Sequence, residues 1–149
     1  MAELQVKTLQ DFSGKLSGQK VLVRVDFNVP LDPQTGAITD DRRIREALPT
    51  IRKILQEGAT PVCMSHLGRP KGKRDERYSL RPVAKRLGEL LQTEVTFAPD
   101  CIGPEAHSVV QAAGKDSVVL LENLRFHEGE TSNDPEFAAQ LAQHGSFYV

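Results

Sequence analysis

The 149-residue sequence contains no tryptophan, only two cysteines and no long hydrophobic run. Cys63 and Cys101 do not form a C-x-x-C pair, which argues against a structural zinc site or disulfide. Cys63 lies in an apolar run, so we expect a buried free thiol. No apolar stretch approaches the roughly 20 residues of a membrane span. Residues 1–12 alternate polar and apolar side chains and have no signal-peptide core, so these absences predict a cytoplasmic protein without a membrane partner.

Charge of neither sign predominates in the chain. Nineteen Lys and Arg residues face twenty Asp and Glu residues, and the formal net charge is −1. Domains that bind nucleic acid or membranes usually carry a basic excess or stripe, so the composition argues against both classes of partner. Any functional positive charge must therefore be local, within a chain whose length favours one globular domain.

Short β-branched runs alternate with longer amphipathic stretches. We predict strands at residues 21–25, 61–64, 95–97, 117–121 and 147–149, helices at 41–57, 80–91, 104–113 and 135–142, and a loop at 129–133. Thr39 or Asp40 is the expected N-cap of the first helix, Ser79 should cap the second, and Pro49 should kink or break the first. Because the strands are almost continuously apolar, the pattern predicts an α/β fold, a three-layer αβα sandwich with a parallel sheet.

The familiar nucleotide-binding and hydrolase motifs are missing. The sequence contains no G-x-G-x-x-G, H-E-x-x-H or G-x-S-x-G pattern. Gly68 to Lys73 is faintly similar to a phosphate loop, but Arg74 stands where a Ser or Thr is needed and the spacing is wrong, which argues against a Walker-type site. The basic run from Lys71 to Arg77 is most simply a solvated loop.

Cationic side chains follow the ends of two buried strands. In an open parallel sheet, ligands bind in the crevice outside the carboxyl ends of the strands. Arg69, with His66 beside it, follows the second predicted strand, and Arg125 follows the fourth. Gly68 and Pro70 restrict the backbone around Arg69, and the planar guanidinium fork suits phosphate. The placement predicts a site for a small, multiply charged anion.

Several of these residues also have ordinary structural interpretations. Asp26 and Asn28, two residues apart at the end of the first strand, either face the crevice or only organise the turn before Pro30, which composition alone favours. His66 is equally consistent with a structural role and with a site next to Arg69.

The two remaining arginines of interest have alternatives as well. Arg125 either contacts a ligand or forms an ion pair with Glu122 or Glu128. Arg43 lies near the N-terminus of the first long helix, where a cation opposes the helix dipole unless an anionic ligand lies nearby. Its alternative is a solvated helix face, which we prefer for the neighbouring Arg42 and Arg45.

Four segments together resemble the phosphoglycerate kinase family. They are VDFNVP from Val25, Arg43-Ile44 ahead of ALPTI, SHLGRP from Ser65, and LENLRF from Leu121. The segments occur in the family's order and at family-like spacing over nearly the whole chain. The resemblance implies a two-domain glycolytic transferase that moves a phosphoryl group between 1,3-bisphosphoglycerate and ADP, or between 3-phosphoglycerate and ATP.

The resemblance also implies a role for each part. Residues 1–149 would be part of the N-terminal, 3-phosphoglycerate-binding domain, while Mg-ATP or Mg-ADP would bind in a C-terminal domain outside this chain, leaving no cofactor or metal here. Arg43 would be the catalytic residue, stabilising the phosphoryl group in transfer. The implied substrate-binding residues are Asp26, Phe27, Asn28, Arg43, His66, Leu67, Gly68, Arg69 and Arg125, with His66, Arg69 and Arg125 on the 3-phosphate and Asp26 and Asn28 at the glycerate end.

The sequence ends inside its fifth predicted strand, whereas the N-terminal sheet of the family has six. We therefore expect a piece of a longer protein, without turnover by itself, from an enzyme that is a monomer when complete. An exposed sheet edge would invite pairing with another chain. The alternatives are a weak phosphoglycerate-binding module and a structural fragment that self-associates through that edge.

Overall fold

The computed structural model describes residues 7–149, and residues 1–6 of the alternating segment at 1–12 lie outside this range. Within it, five parallel strands form a sheet in the order β3-β4-β2-β1-β5. The strands are β1 (Lys20–Arg24), β2 (Thr60–Met64), β3 (Val95–Phe97), β4 (Val118–Leu120) and β5 (Phe147–Tyr148). The α-helices are α1 (Arg42–Gln56), α2 (Arg81–Leu91), α3 (Pro104–Ala112), α4 (Gly129–Ser132) and α5 (Pro135–Ala142). None of these described helices has the length and hydropathy needed to cross a membrane.

Successive strand residues alternate between two hydrophobic cores, one on each face of the sheet. Val21 and Val23 of β1 pack in the same core as α1 and α2. Leu22 packs in the other core, with α3 and α5. Helices therefore cover both faces, and the predicted α/β sandwich with a parallel sheet is confirmed. Cys63 is fully buried in the first core, as predicted, and burial raises the pKa of its thiol to about 12.

The order of the sheet brings three chain segments together. Strands β4, β2 and β1 are neighbours and run parallel, so their carboxyl ends lie at one edge of the sheet. The segments that leave this edge are residues 25–30 after β1, 65–70 after β2 and 121–128 after β4. These are the segments that contain the predicted anion-binding residues apart from Arg43, which lies in the first turn of α1.

Helix α1 differs from the prediction at its start and at its proline. Its N-cap is Asp41 rather than Thr39 or Asp40, although an Asp40 carboxylate oxygen still accepts a hydrogen bond from the backbone N–H of Arg42 (2.8 Å). The helix continues through Pro49 without a break. Proline removes one backbone hydrogen bond, but the buried face of the helix keeps both halves packed on the sheet. That face consists of Ile44, Leu48, Ile51 and Ile54.

Two further helix boundaries differ from the sequence-based prediction. The N-cap of α2 is Leu80, while Ser79 lies one residue earlier and its hydroxyl accepts from the backbone N–H of Arg81 (3.2 Å). The loop predicted at residues 129–133 is instead the short helix α4, and the prediction there was wrong. Its single turn ends at Asn133, which adopts the left-handed conformation that asparagine tolerates (φ 54°).

Candidate functional site

Side-chain hydrogen bonds tie the three strand-end segments to one another. The Ser65 hydroxyl accepts from the backbone N–H of Phe27 (3.0 Å). The Asn123 side chain bonds both backbone groups of Leu67, donating to its carbonyl (2.7 Å) and accepting from its N–H (3.3 Å). Asn28 accepts from the N–H of Gly68 through its amide oxygen (2.9 Å). The edge of the sheet is therefore held in one conformation by bonds that cross between loops.

Asp26, Asn28 and Arg43 form the first group of predicted site residues. Arg43 Nη1 donates to the backbone carbonyl of Asn28 (2.6 Å) and to Asp26 Oδ1 (3.3 Å). The same Asp26 oxygen accepts from the backbone N–H of Asn28 (3.1 Å). Asp26 and Asn28 therefore organise the turn, as their structural interpretation predicted, and they also orient Arg43. Arg43 lines two surface depressions, one together with Asn28 and the other together with Asp26.

Arg125 and Arg69 form the second group, in a different depression. Both line a hollow between the loop after β2 and helix α4, together with Lys71 and Glu128. Arg69 is exposed and forms no ion pair within residues 7–149. Arg125 is half-buried, and its Nε donates to Glu130 Oε2 (3.0 Å).

The partner of Arg125 differs from both predicted alternatives. The sequence suggested Glu122 or Glu128, but the ion pair is formed by Glu130, five residues along the chain. Glu122 points into the protein instead, because Ser79 and backbone N–H groups bind its carboxylate. Glu128 is exposed, at the rim of the hollow.

Charged side chains from both groups affect the pKa of His66. Partial burial lowers the pKa of His66 below its usual value, and the nearby Arg125 and Arg24 lower it further. Glu130 and Asp26 act in the opposite direction without reversing the shift. His66 is therefore neutral at pH 7, and a bound anion would raise its pKa.

Phe27 and Leu67, which were predicted to contact substrate, do not present their side chains to this edge. Their side chains are buried in the core on the α1 and α2 face, with 0% and 2% exposure. Each is used as a packing anchor that holds its loop against the sheet. Any side-chain contacts to a ligand at this edge would therefore have to come from neighbouring residues.

Only glycine, which has no Cβ atom, fits at position 68 without strain. Its φ is +61°, and a Cβ there would lie 2.4 Å from Cδ1 of the Tyr78 ring. We expect Gly68→Ala to lower the free energy of unfolding by about 2 to 3 kcal/mol, from backbone strain plus the clash. Gly36→Ala is the control, because Gly36 has φ +73° with open space around it, and should cost about 1 kcal/mol from backbone strain alone. Urea unfolding measures both, and equal losses would exclude the clash.

Four residues that shape this edge were not among the predicted site residues. Glu130 and Arg24 form an ion pair beside Arg125 (2.9 Å). Ser65 and Asn123 make the bonds between loops described above. Their only signal in the sequence is position, since Arg24 ends one strand while Ser65 and Asn123 follow two others.

One cluster elsewhere has donor atoms suited to a metal ion. A ligand atom from each of Asp100, Cys101 and His127 lies within 4.8 Å of the others. His127 Nε2 is already 2.7 Å from Asp100 Oδ1, and burial raises the pKa of the Cys101 thiol. A metal would have to displace that hydrogen bond and deprotonate a buried thiol, so the geometry favours a hydrogen-bonded pair beside a packed cysteine.

Comparisons with known proteins agree with the geometry. The family profile described as "Phosphoglycerate kinase" matches residues 9–149. Proteins named phosphoglycerate kinase from Chlorobaculum tepidum and Prosthecochloris aestuarii are 57% and 56% identical over 146 residues, which cover 98% of this chain and 36% of each relative. The chain thus spans about a third of the length of these curated relatives.

Solved structures show the same similarity. The phosphoglycerate kinase structure from Coxiella burnetii matches with a TM-score of 0.78 and 33% identity, over 95% of this chain and 34% of that one. The Pyrococcus horikoshii structure matches with a TM-score of 0.82 and 30% identity, over 95% and 35%. Since the family profile covers nearly all of the sequence and the fold agrees, this chain belongs to the phosphoglycerate kinase family.

Proposed function

We propose that residues 1–149 form part of the 3-phosphoglycerate-binding N-terminal domain of a phosphoglycerate kinase. The observation that carries the proposal is the pairing of Arg69 and Arg125 in one hollow at the sheet edge. The Nε of Arg125 is occupied by Glu130, and within the described residues its two terminal nitrogens have no hydrogen-bond partner. A phosphate monoester needs several such donors, and a guanidinium offers two in parallel.

The depression that Asp26 and Arg43 line suits the other end of the same ligand. Asp26 can accept a hydrogen bond from a hydroxyl, and Arg43 can bind a carboxylate with its remaining nitrogens. The carboxylate of 3-phosphoglycerate is the phosphoryl acceptor and is already ionised, so the reaction needs no strong general base. A neutral His66 is consistent with that requirement. Orientation and charge neutralisation then supply most of the catalysis.

The nucleotide has its own place in this proposal. Mg-ATP or Mg-ADP would bind to a C-terminal domain outside these residues, and this chain would supply neither a metal ligand nor a nucleotide contact. The partners are 3-phosphoglycerate and 1,3-bisphosphoglycerate, in a cytoplasmic glycolytic enzyme that acts as a monomer. By itself, the chain would bind the phosphoglycerate without turnover.

An NMR titration of the chain with 3-phosphoglycerate tests the binding step. We expect the amide signals of Gly68, Arg69 and Arg125 to move, the pKa of His66 to rise, and added salt to weaken the effect. Arg69→Ala and Arg125→Ala should each weaken binding about tenfold or more, because each removes a charged donor from the hollow.

The matched control is Lys85→Ala. Lys85 is exposed on α2 and has no ion pair in the described part of the chain, so its loss removes the same charge without touching the site. Its affinity should stay within about twofold of the parent chain. The absence of any shift at millimolar 3-phosphoglycerate, or equal losses in all three variants, would contradict the proposal.

A further inference from the structure

Glu130 forms ion pairs with two arginines, Arg24 at the end of β1 and Arg125 in the loop after β4. Its Oε1 accepts from Arg24 Nη2 (2.9 Å) and its Oε2 accepts from Arg125 Nε (3.0 Å). The Glu130 side chain is only 13% exposed. One carboxylate of α4 therefore holds the end of β1 and the loop after β4 at the same time.

The atoms that Glu130 uses matter for a ligand. It binds Arg125 through Nε, on the side of the guanidinium, and leaves the two terminal nitrogens unoccupied within the described residues. A phosphate can then approach the end of the guanidinium, where two parallel donors are available. An arginine with no such partner would lose more rotamer freedom on binding, which lowers affinity.

The ion pair between Glu130 and Arg24 links the two depressions. Arg24 lines the depression that contains Asp26 and Arg43, whereas Arg125 lines the hollow that contains Arg69. Within the described residues, Glu130 is thus bonded to one arginine from each depression. Any movement of one guanidinium relative to the other must stretch or break a charge-assisted hydrogen bond.

The charge state of Glu130 supports this arrangement. Burial by itself would raise the pKa of Glu130, but hydrogen bonds from Arg24 and Arg125 lower it below its usual value. The carboxylate is therefore ionised at neutral pH. It also separates two like charges that would otherwise repel each other, while the three groups together still carry one net positive charge.

We propose that Glu130 is a positioning residue for this site, holding Arg125 ready for the phosphate and keeping it in register with Arg24. The inference rests on the proposed function for its ligand, 3-phosphoglycerate. It makes a counterintuitive prediction, because removing a negative charge beside an anion site should weaken anion binding instead of strengthening it.

The first test needs no ligand. Relaxation of the Nε–Hε groups reports how rigid each arginine side chain is, and the exposed Arg69 serves as the mobile reference. In Glu130→Gln, we expect both Arg24 and Arg125 to become nearly as mobile as Arg69. Unchanged rigidity of both arginines in a folded variant would overturn the positioning role, whatever the chain binds.

The second test measures affinity for 3-phosphoglycerate. Glu130→Gln should weaken binding about tenfold, and Glu130→Asp, which keeps the charge but is too short to bond both arginines equally, should fall between. Glu136→Gln is the control, because Glu136 is exposed in the neighbouring α5 and forms no ion pair within residues 7–149. Its affinity and its arginine dynamics should match those of the parent chain.

The outcomes separate this inference from the proposed function. Tighter binding in Glu130→Gln would mean that the carboxylate competes with the ligand, which overturns the positioning role. Loss of thermal stability without any change in arginine motion or affinity would assign Glu130 a purely structural role. If the parent chain binds no 3-phosphoglycerate, the proposed function fails, while the relaxation experiment still decides whether Glu130 orders the two arginines.

Discussion

Replacing Glu122 by alanine is expected to lower the free energy of unfolding of this chain by about 4 kcal/mol. The Glu122 side chain is 1% exposed. Its carboxylate accepts from the Ser79 hydroxyl (2.7 Å) and from the backbone N–H groups of Leu80 and Asn123 (both 2.9 Å). Alanine would leave these three buried donors without an acceptor, and each such group costs about 1 to 3 kcal/mol.

The lost hydrogen bonds would all lie where two elements of the fold meet. Glu122 joins the end of β4 to the start of α2, which is 42 or 43 residues away in sequence. A change of about 4 kcal/mol is a large part of the 5 to 15 kcal/mol by which domains are usually stable. We therefore expect Glu122→Ala to be folded only at low temperature or with stabilising salts.

Urea unfolding followed by circular dichroism measures the effect. Glu128→Ala is the matched control, since it removes the same charge from an exposed position six residues away, and it should cost less than about 0.5 kcal/mol. Glu122→Gln should be intermediate, because its amide oxygen can still accept from the two backbone N–H groups while the Ser79 hydroxyl loses its charged acceptor. A loss for Glu122→Ala no larger than that of Glu128→Ala would show that the three donors find other partners.

The largest effect on catalysis is expected from Arg43→Ala. We expect kcat to fall about a hundredfold or more, since an arginine that stabilises a transferring phosphoryl group can contribute several orders of magnitude. Under the proposed function, Arg43 would act from the first turn of α1, where Asn28 and Asp26 hold one of its terminal nitrogens. Its side chain is still 48% exposed, which leaves its other nitrogens accessible to a ligand.

The measurement requires an assembled kinase. A suitable one joins this chain to the part of the Chlorobaculum tepidum relative that the chain does not match, with the wild-type chimera as reference. Arg42→Ala is the matched control: Arg42 occupies the same helical turn, is 77% exposed, and approaches Asp40 only at 4.0 Å. Its kcat should stay within about threefold of the reference.

The division between kcat and KM decides what Arg43 does. A fall in kcat with little change in KM means that the interaction forms mainly in the transition state. A rise in KM at constant kcat would reassign Arg43 to binding of the ground-state substrate. Equal losses in the Arg42 and Arg43 variants would indicate a general electrostatic contribution from the helix start.

The sequence predicted the fold well because its signals are local. Within residues 7–149, apolar runs and helical spacing located all five strands and four of the five α-helices, since burial on a sheet or helix face repeats at fixed intervals. The exceptions were α4, a single turn with no apolar period, and the effect of Pro49. There the packing of the whole α1 face outweighed the loss of one hydrogen bond.

The candidate site was only partly predictable for the same reason. Arg69 and Arg125 were found because each follows an apolar strand, and the structure places them in one hollow. Glu130 was missed, because nothing in its local sequence indicates that α4 folds back between the ends of β1 and β4. The partner of Arg125 is decided by the direction in which the side chains of Glu122, Glu128 and Glu130 point in the folded chain. The number of residues between each of them and Arg125 does not reveal that direction.

By itself, the sequence determined the described strands, the helices other than α4, the parallel α/β class and the family resemblance, through periodicity and four short motifs. Tertiary structure alone decided the strand order β3-β4-β2-β1-β5, the inward turn of Glu122 and the double ion pair of Glu130. The physical reason is the range of the forces involved. Burial patterns are written into neighbouring residues, whereas an ion pair or a buried hydrogen bond exists only where folding brings distant segments within about 3 Å.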